Sequence, residues 1–249
     1  MNSSVINEWI KIRRSWVIWL FIFVPVVTCF LLTLALGYYL QKGHSPEQGW
    51  GLILSLTSRY LWQIIAFTVP VFIAYIVNME QFSNMWKFLF AMPLAKWKIY
   101  VAKFFWGFAT TLVMGLLFVF GIYIMAELHD VEHLVTIGQL FSYVYAPFLL
   151  AIPFVAFQLC VSMASKNQSV PISFGIASII LAPVFKGWGW WTPWGFWSTF
   201  LPSPPLSVQV LSPGETSALL NWEILLLSVL FGAIWLVIGI TVFYRKEFD

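Results

Sequence analysis

Charge is what this sequence has least of. Of its 249 residues only 9% are Asp, Glu, Lys or Arg, against about 25% in an ordinary soluble domain. The same chain is 61% hydrophobic, with a mean hydropathy of +0.86. That shortage excludes a soluble globular fold and places the chain among integral membrane proteins. The net charge of +3 is small, and no nucleic-acid partner is expected. Cysteine is scarce as well: Cys29 and Cys160 both lie in apolar runs, where a thiol is a small packing residue rather than half of a disulfide or a metal ligand.

Reactive chemistry is just as thin. There is no G-x-x-x-x-G-K-[ST] loop, so the chain cannot bind and hydrolyse ATP by the P-loop route. A G-x-S-x-G elbow is also missing, and the apolar runs hold no Asp, Glu, Lys or Arg away from their ends, unlike proton relays and ion-coupled carriers. One stretch, HDVEH from His129 to His133, formally matches the H-x-x-E-H zinc pattern with Glu132 as its acidic member. Only His44 remains as a further histidine, whereas a catalytic zinc commonly takes three protein ligands. The stretch is therefore expected to be a solvated loop, without metal or catalytic residues.

Six apolar runs are present: Trp16 to Leu40, Tyr60 to Met79, Phe104 to Ala126, Leu140 to Ala164, Ser169 to Phe185 and Ile224 to Tyr244. Each is close to the ~20 residues that cross a ~30 Å hydrocarbon core. Together they nearly fill the chain, so residues 1–249 are expected to form one transmembrane domain with no soluble domain appended. The first run is too long for a cleavable signal peptide and is expected to be retained. Six spans place both termini on one side, and the positive-inside rule selects the cytoplasm. Lys11, Arg13, Arg14, Lys87, Lys96, Lys98, Lys103, Lys166, Arg245 and Lys246 then lie inside, and only Lys42, Arg59 and Lys186 outside.

Prolines at 25, 70, 147 and 153 fall within the spans. Each removes a backbone donor that lipid cannot replace, so kinks are expected, most strongly in span four. In span five Ser169, Ser173 and Ala177 recur every four residues. Such a ridge lets another helix approach, either within the chain or from a second protomer. The long connection after span five opens with GWGWWTPWGFW, which suits an aromatic belt at the headgroup level or a lid over a pathway.

The stretch NMEQFSNMWKFLFAMPLAKWKIYVAKF, Asn78 to Phe104, interrupts this pattern between spans two and three. From Glu80 to Ala91, Phe82, Met85, Trp86, Leu89 and Phe90 share one helical face, and Glu80, Ser83, Asn84 and Lys87 the other. Pro93 ends or kinks that helix, and Lys96, Lys98 and Lys103 suit an interface with anionic lipid. Such a helix is either a surface anchor between two spans or a lever that moves them.

The order of a Glu closing span two, then N-x-W-K, a Pro, basic residues and a Lys opening span three (Glu80, Asn84, Trp86, Lys87, Pro93, Lys96, Lys103) resembles permeases of the ABC-2 type. So do the opening EWIKIRRSW, with Glu8, Lys11, Arg13, Arg14 and Ser15, and the closing YRKEFD from Tyr244 to Asp249. Among such permeases the chain is most similar to the small subunits of lantibiotic-immunity and bacitracin-resistance transporters.

The resemblance implies two permease subunits, identical or homologous, working with two copies of a separate cytosolic P-loop ATPase that holds the ATP and Mg. It also implies that Glu80, Phe82, Asn84, Met85, Trp86, Lys87, Leu89, Phe90 and Pro93 form the coupling helix that docks on that ATPase. The sequence thus leads to an all-α, six-span permease in the plasma membrane of a bacterium, bearing no cofactor, set in membrane lipid and exporting or expelling an amphipathic substrate such as a lantibiotic. The alternatives are a membrane scaffold or assembly factor and, third, an intramembrane enzyme.

Overall fold

The computed structural model describes residues 2–42, 49–82, 95–131, 137–184, 192–193 and 222–245. Among them the regular elements are all helices: α1 (Asn2–Arg13), α2 (Val17–Gln41), α3 (Gly49–Phe82), α4 (Lys96–Leu128), α5 (Ile137–Leu149), α6 (Ile152–Ala164), α7 (Ser169–Val184) and α8 (Trp222–Arg245). Five candidate spans are long and apolar enough to cross a membrane: α2, α3, α4, the α5–α6 pair taken together, and α8. The chain is a multi-pass membrane protein. The fifth apolar run recurs as α7, whose 16 residues rise only ~24 Å, less than the ~30 Å of the hydrocarbon core.

Two helices begin earlier than their apolar runs. α3 starts at Gly49, so Arg59, expected in an external loop, lies within a helix of 34 residues. At ~1.5 Å per residue the rise from Arg59 to Glu80 is ~30 Å, one core thickness, which allows each charge to sit at an opposite interface. α4 starts at Lys96, so Lys103 lies two turns inside a helix rather than at its mouth.

The fourth run is broken where its prolines are. α5 stops at Leu149 and α6 starts at Ile152, because Pro153 has no N–H to continue the ladder and its ring crowds the preceding turn. Ser228 of α8 donates a 3.3 Å bond to the carbonyl of Leu150 at the break, the kind of side-chain compensation that lipid demands. The α5–α6 pair is the central element, with 78% of its apolar window buried, whereas α2 and α8 are peripheral at 28% and 17%. α8 packs chiefly on α6, α2 on α4, and α7 on α3.

The small-residue ridge does not mediate that last contact. Ser169 and Ser173 are exposed and Ala177 half-buried, while Pro171, Gly175 and Ser178 form the buried face of α7. A Cβ added at Gly175 meets the Pro70 ring at 2.1 Å and the Ala66 carbonyl oxygen at 3.2 Å. The two helices therefore touch through a glycine offset from the ridge, and Ser169, Ser173 and Ala177 face away from the α3 contact.

At the end of the bundle marked by the C-terminus of α4, His129 departs from a purely solvated loop. It is half-buried, and one ring nitrogen lies 3.1 Å from the carbonyl of Thr33 in α2. Glu132 and His133 fall outside the described residues. Cys29 and Cys160 are buried free thiols, as their setting in apolar runs suggests.

Candidate functional site

At the opposite end of the bundle four charged side chains meet. Glu8 comes from α1, Lys11 from the next turn of the same helix, Glu80 from the last turn of α3, and Lys103 from the early part of α4. The Lys103 Nζ stands 3.1 Å from Glu8 Oε2 and 3.0 Å from Glu80 Oε1. Lys11 Nζ stands 3.1 Å from Glu8 Oε1 and 2.6 Å from Glu80 Oε1. Signs alternate around a closed ring of two carboxylates and two ammonium groups, and the ring is neutral as a whole.

Its burial is deep. Lys103 is 0% exposed, Glu80 1% and Glu8 4%. An ammonium group has three donors, and those of Lys103 find the two carboxylates and the carbonyl of Ile76 at 3.3 Å. A buried pair is a poor source of net stability, because removing ions from water costs several kcal/mol each, yet breaking one is severe. The ring therefore serves to fix where α1, α3 and α4 meet.

Around it the same end is held by uncharged contacts. Trp9 of α1 stacks on Trp106 of α4 with ring centroids 4.6 Å apart and planes inclined by 17°. The Trp106 indole N–H donates to the carbonyl of Val5 at 2.8 Å. The Ser15 hydroxyl oxygen accepts from the N–H of Val17 at 3.1 Å, steadying the turn by which α1 gives way to α2.

Gln81, the neighbour of Glu80, turns elsewhere. It donates to the carbonyl of Ser165 at 3.0 Å and accepts from Gln168 at 2.8 Å, joining α3 to the α6–α7 turn. Ser162 donates to Gln168 at 2.6 Å and completes that cluster. Two consecutive residues at the end of α3 thus anchor α1 and α4 on one side and the α6–α7 turn on the other.

Burial raises the carboxyl of Glu8, but the charges of Lys103 and Lys11 and their hydrogen bonds outweigh it, holding the group below its ordinary 4.5. A carboxyl lowered on folding stabilises fully above its ordinary value and loses that contribution as pH falls through the lowered one. The thermal unfolding midpoint of the parent chain is therefore expected to drop as pH falls below 4.5, and Glu8→Gln to remove part of that drop. An equal decline in both proteins would refute a charged Glu8 in the ring.

Several expected site residues are found here and others are not. Glu80, expected on the polar face of the helix after span two, instead belongs to α3 and points into the ring. Lys103, expected at an anionic lipid surface, is enclosed. Asn84, Met85, Trp86, Lys87, Leu89, Phe90 and Pro93 lie outside the described residues, as does the side chain of Phe82 and nearly all of the tryptophan-rich segment. Gln81, Ser162, Gln168 and Trp106 were not singled out by the sequence; only the polarity of Gln168 beside a span end pointed toward a contact.

A family model described as ABC-2 family transporter protein matches residues 4–183. That stretch reaches from α1 almost to the end of α7 and contains all four members of the ring. Neither curated proteins nor solved structures give a match.

Proposed function

Because the chain belongs to the ABC-2 transporter family, we propose that it is the permease subunit of an ATP-binding cassette transporter whose ATPase is a separate cytosolic chain. In this reading the ring lies at the inner face, with both termini cytoplasmic and residues 1–249 forming one six-span transmembrane domain. Two permeases, identical or homologous, work with two ATPase copies that hold ATP and Mg. The substrate is an amphipathic molecule of the lantibiotic or antimicrobial-peptide class, exported or expelled across a bacterial plasma membrane.

The observation that carries the reading is how the two helices joined through residues 83–94 are held: α3 ends at Phe82, just after Glu80 and Gln81, and α4, which starts at Lys96, brings Lys103 back to Glu80. A force on the stretch is delivered to α1, α3, α4 and the α6–α7 turn together. Phe82, Asn84, Met85, Trp86, Lys87, Leu89, Phe90 and Pro93 are assigned to docking on the ATPase, with Glu80 as the inner anchor. ATP favours one arrangement of the bundle only through differential affinity for it. The outward face of α7, with Ser169, Ser173 and Ala177, is assigned to the second permease.

Co-purification tests the proposal. The parent chain should bring down a P-loop ATPase, and Trp86→Asp should insert normally yet lose that partner roughly 10- to 100-fold, the worth of one buried aromatic anchor. In a chain lacking Cys29 and Cys160, a cysteine placed at Ser83 should label only from the cytoplasmic side. Normal ATPase recovery and transport by both Trp86→Asp and Phe82→Asp would reduce the stretch to a linker and favour a scaffold.

A further inference from the structure

α1 has two unlike faces. Glu8, Lys11 and Ile12 point toward the ring and the core, with Glu8 and Ile12 buried. On the other side Ile6 is 55% exposed and Ile10 39%, and Trp9, with one face stacked on Trp106, is still 37% exposed, followed by exposed Arg13 and Arg14. At 100° per residue Ile6, Trp9, Ile10, Arg13 and Arg14 fall on one side of the helix and its continuation, opposite the ring. Trp16, 68% exposed, extends the same aromatic edge toward α2.

Neither arginine is used by the fold that surrounds it. Among the described residues Glu8, Lys11, Glu80 and Lys103 pair with one another, and neither Arg13 nor Arg14 joins them. Arg13 and Arg14 stand where α1 ends and α2 begins at Val17, beside the positive end of a 25-residue helix. Two guanidinium groups offer forked donors suited to a phosphate. An apolar, tryptophan-bearing flank next to them suits acyl chains and the headgroup layer.

We propose that the outer face of α1 binds an anionic phospholipid headgroup through Arg13 and Arg14, and that this contact seats α1 so that Glu8 and Lys11 close the ion ring. Lipid composition then sets how firmly α1 is held against α3 and α4. The lipid acts from the face opposite the ring, so the same helix reads the membrane on one side and holds the bundle on the other. This inference needs no ATPase and stands apart from the transporter reading.

Hydrogen exchange of the α1 amides, measured on the full chain in vesicles, tests it. Phosphatidylglycerol at about a third of a phosphatidylcholine bilayer should slow exchange over residues 5–13 roughly tenfold relative to phosphatidylcholine alone. One basic residue near an anionic surface is worth about fivefold in binding, so Arg13→Gln with Arg14→Gln should abolish the slowing. The paired Lys substitutions should keep most of it, which separates loss of charge from loss of fold. Arg245→Gln, at the C-terminal end of α8 and on the same side of the bundle, should leave the effect intact. Equal exchange of the parent in the two bilayers overturns the proposal. So does an equal loss with Arg245→Gln, which would mean general surface charge, or removal of the slowing by millimolar inorganic phosphate, which would mean a soluble-anion site.

Discussion

Lys103→Met is expected to lower the stability of the chain by about 3–5 kcal/mol, the cost of stranding a buried charge whose partner is gone. Glu8 and Glu80 would then share only Lys11, and one carboxylate would lie buried without compensation. Thermal unfolding in detergent should show a large fall in midpoint, together with loss of protection over α1. The same argument makes the double replacement Glu80→Gln with Lys103→Met milder than Lys103→Met alone, since it leaves the neutral Glu8–Lys11 pair. Groups in one network couple rather than add. A double variant at least as damaged as the single would show that packing of the Lys103 stem, and not the ring, holds this end together.

Gly175→Ala should be among the most damaging single methyls that can be added to the bundle. The new carbon would fall 2.1 Å from the Pro70 ring, and a proline ring cannot swing aside as a long side chain can. Relief requires α3 and α7 to separate, and overpacking of this kind costs about 1–3 kcal/mol. Gly138→Ala provides the contrast, because nothing stands within 4 Å of its added carbon. Unfolding midpoints of the two variants, measured side by side, check the claim: Gly175→Ala low, Gly138→Ala at or above the parent. If the two are equal, the approach of α7 to Pro70 does not limit packing there.

Much of the architecture was legible because the bilayer forces it to be. Apolar runs of span length had to become helices, and one of them breaks just before Pro153, while Pro25, Pro70 and Pro147 lie inside continuous helices. The ends of the helices were less legible, since a helix continues past its apolar run wherever water or a neighbour accepts the polar residues. That is why Arg59 and Lys103 proved helical. All four ring members carried a sequence signal as marks of a family pattern, but their meeting did not, because the partners are separated by up to 95 positions. Local periodicity says which residues share a face and nothing about what that face meets. For the same reason Ser169, Ser173 and Ala177 looked like the packing ridge, while Gly175, two positions from Ser173 and Ala177, makes the close approach.

The order of the ring along the chain also bears on biogenesis. Glu8 and Lys11 are made together and already neutralise each other across one turn. Glu80 and Lys103 belong to consecutive membrane helices and pair with each other as well. A hairpin of α3 and α4 leaving the translocation machinery thus carries its own counter-ion, and neither charge has to wait unpaired for the amino-terminal helix. Assembly then needs only the joining of two neutral pairs, each kept in the finished ring, so the net charge of the forming bundle end is unchanged at every stage.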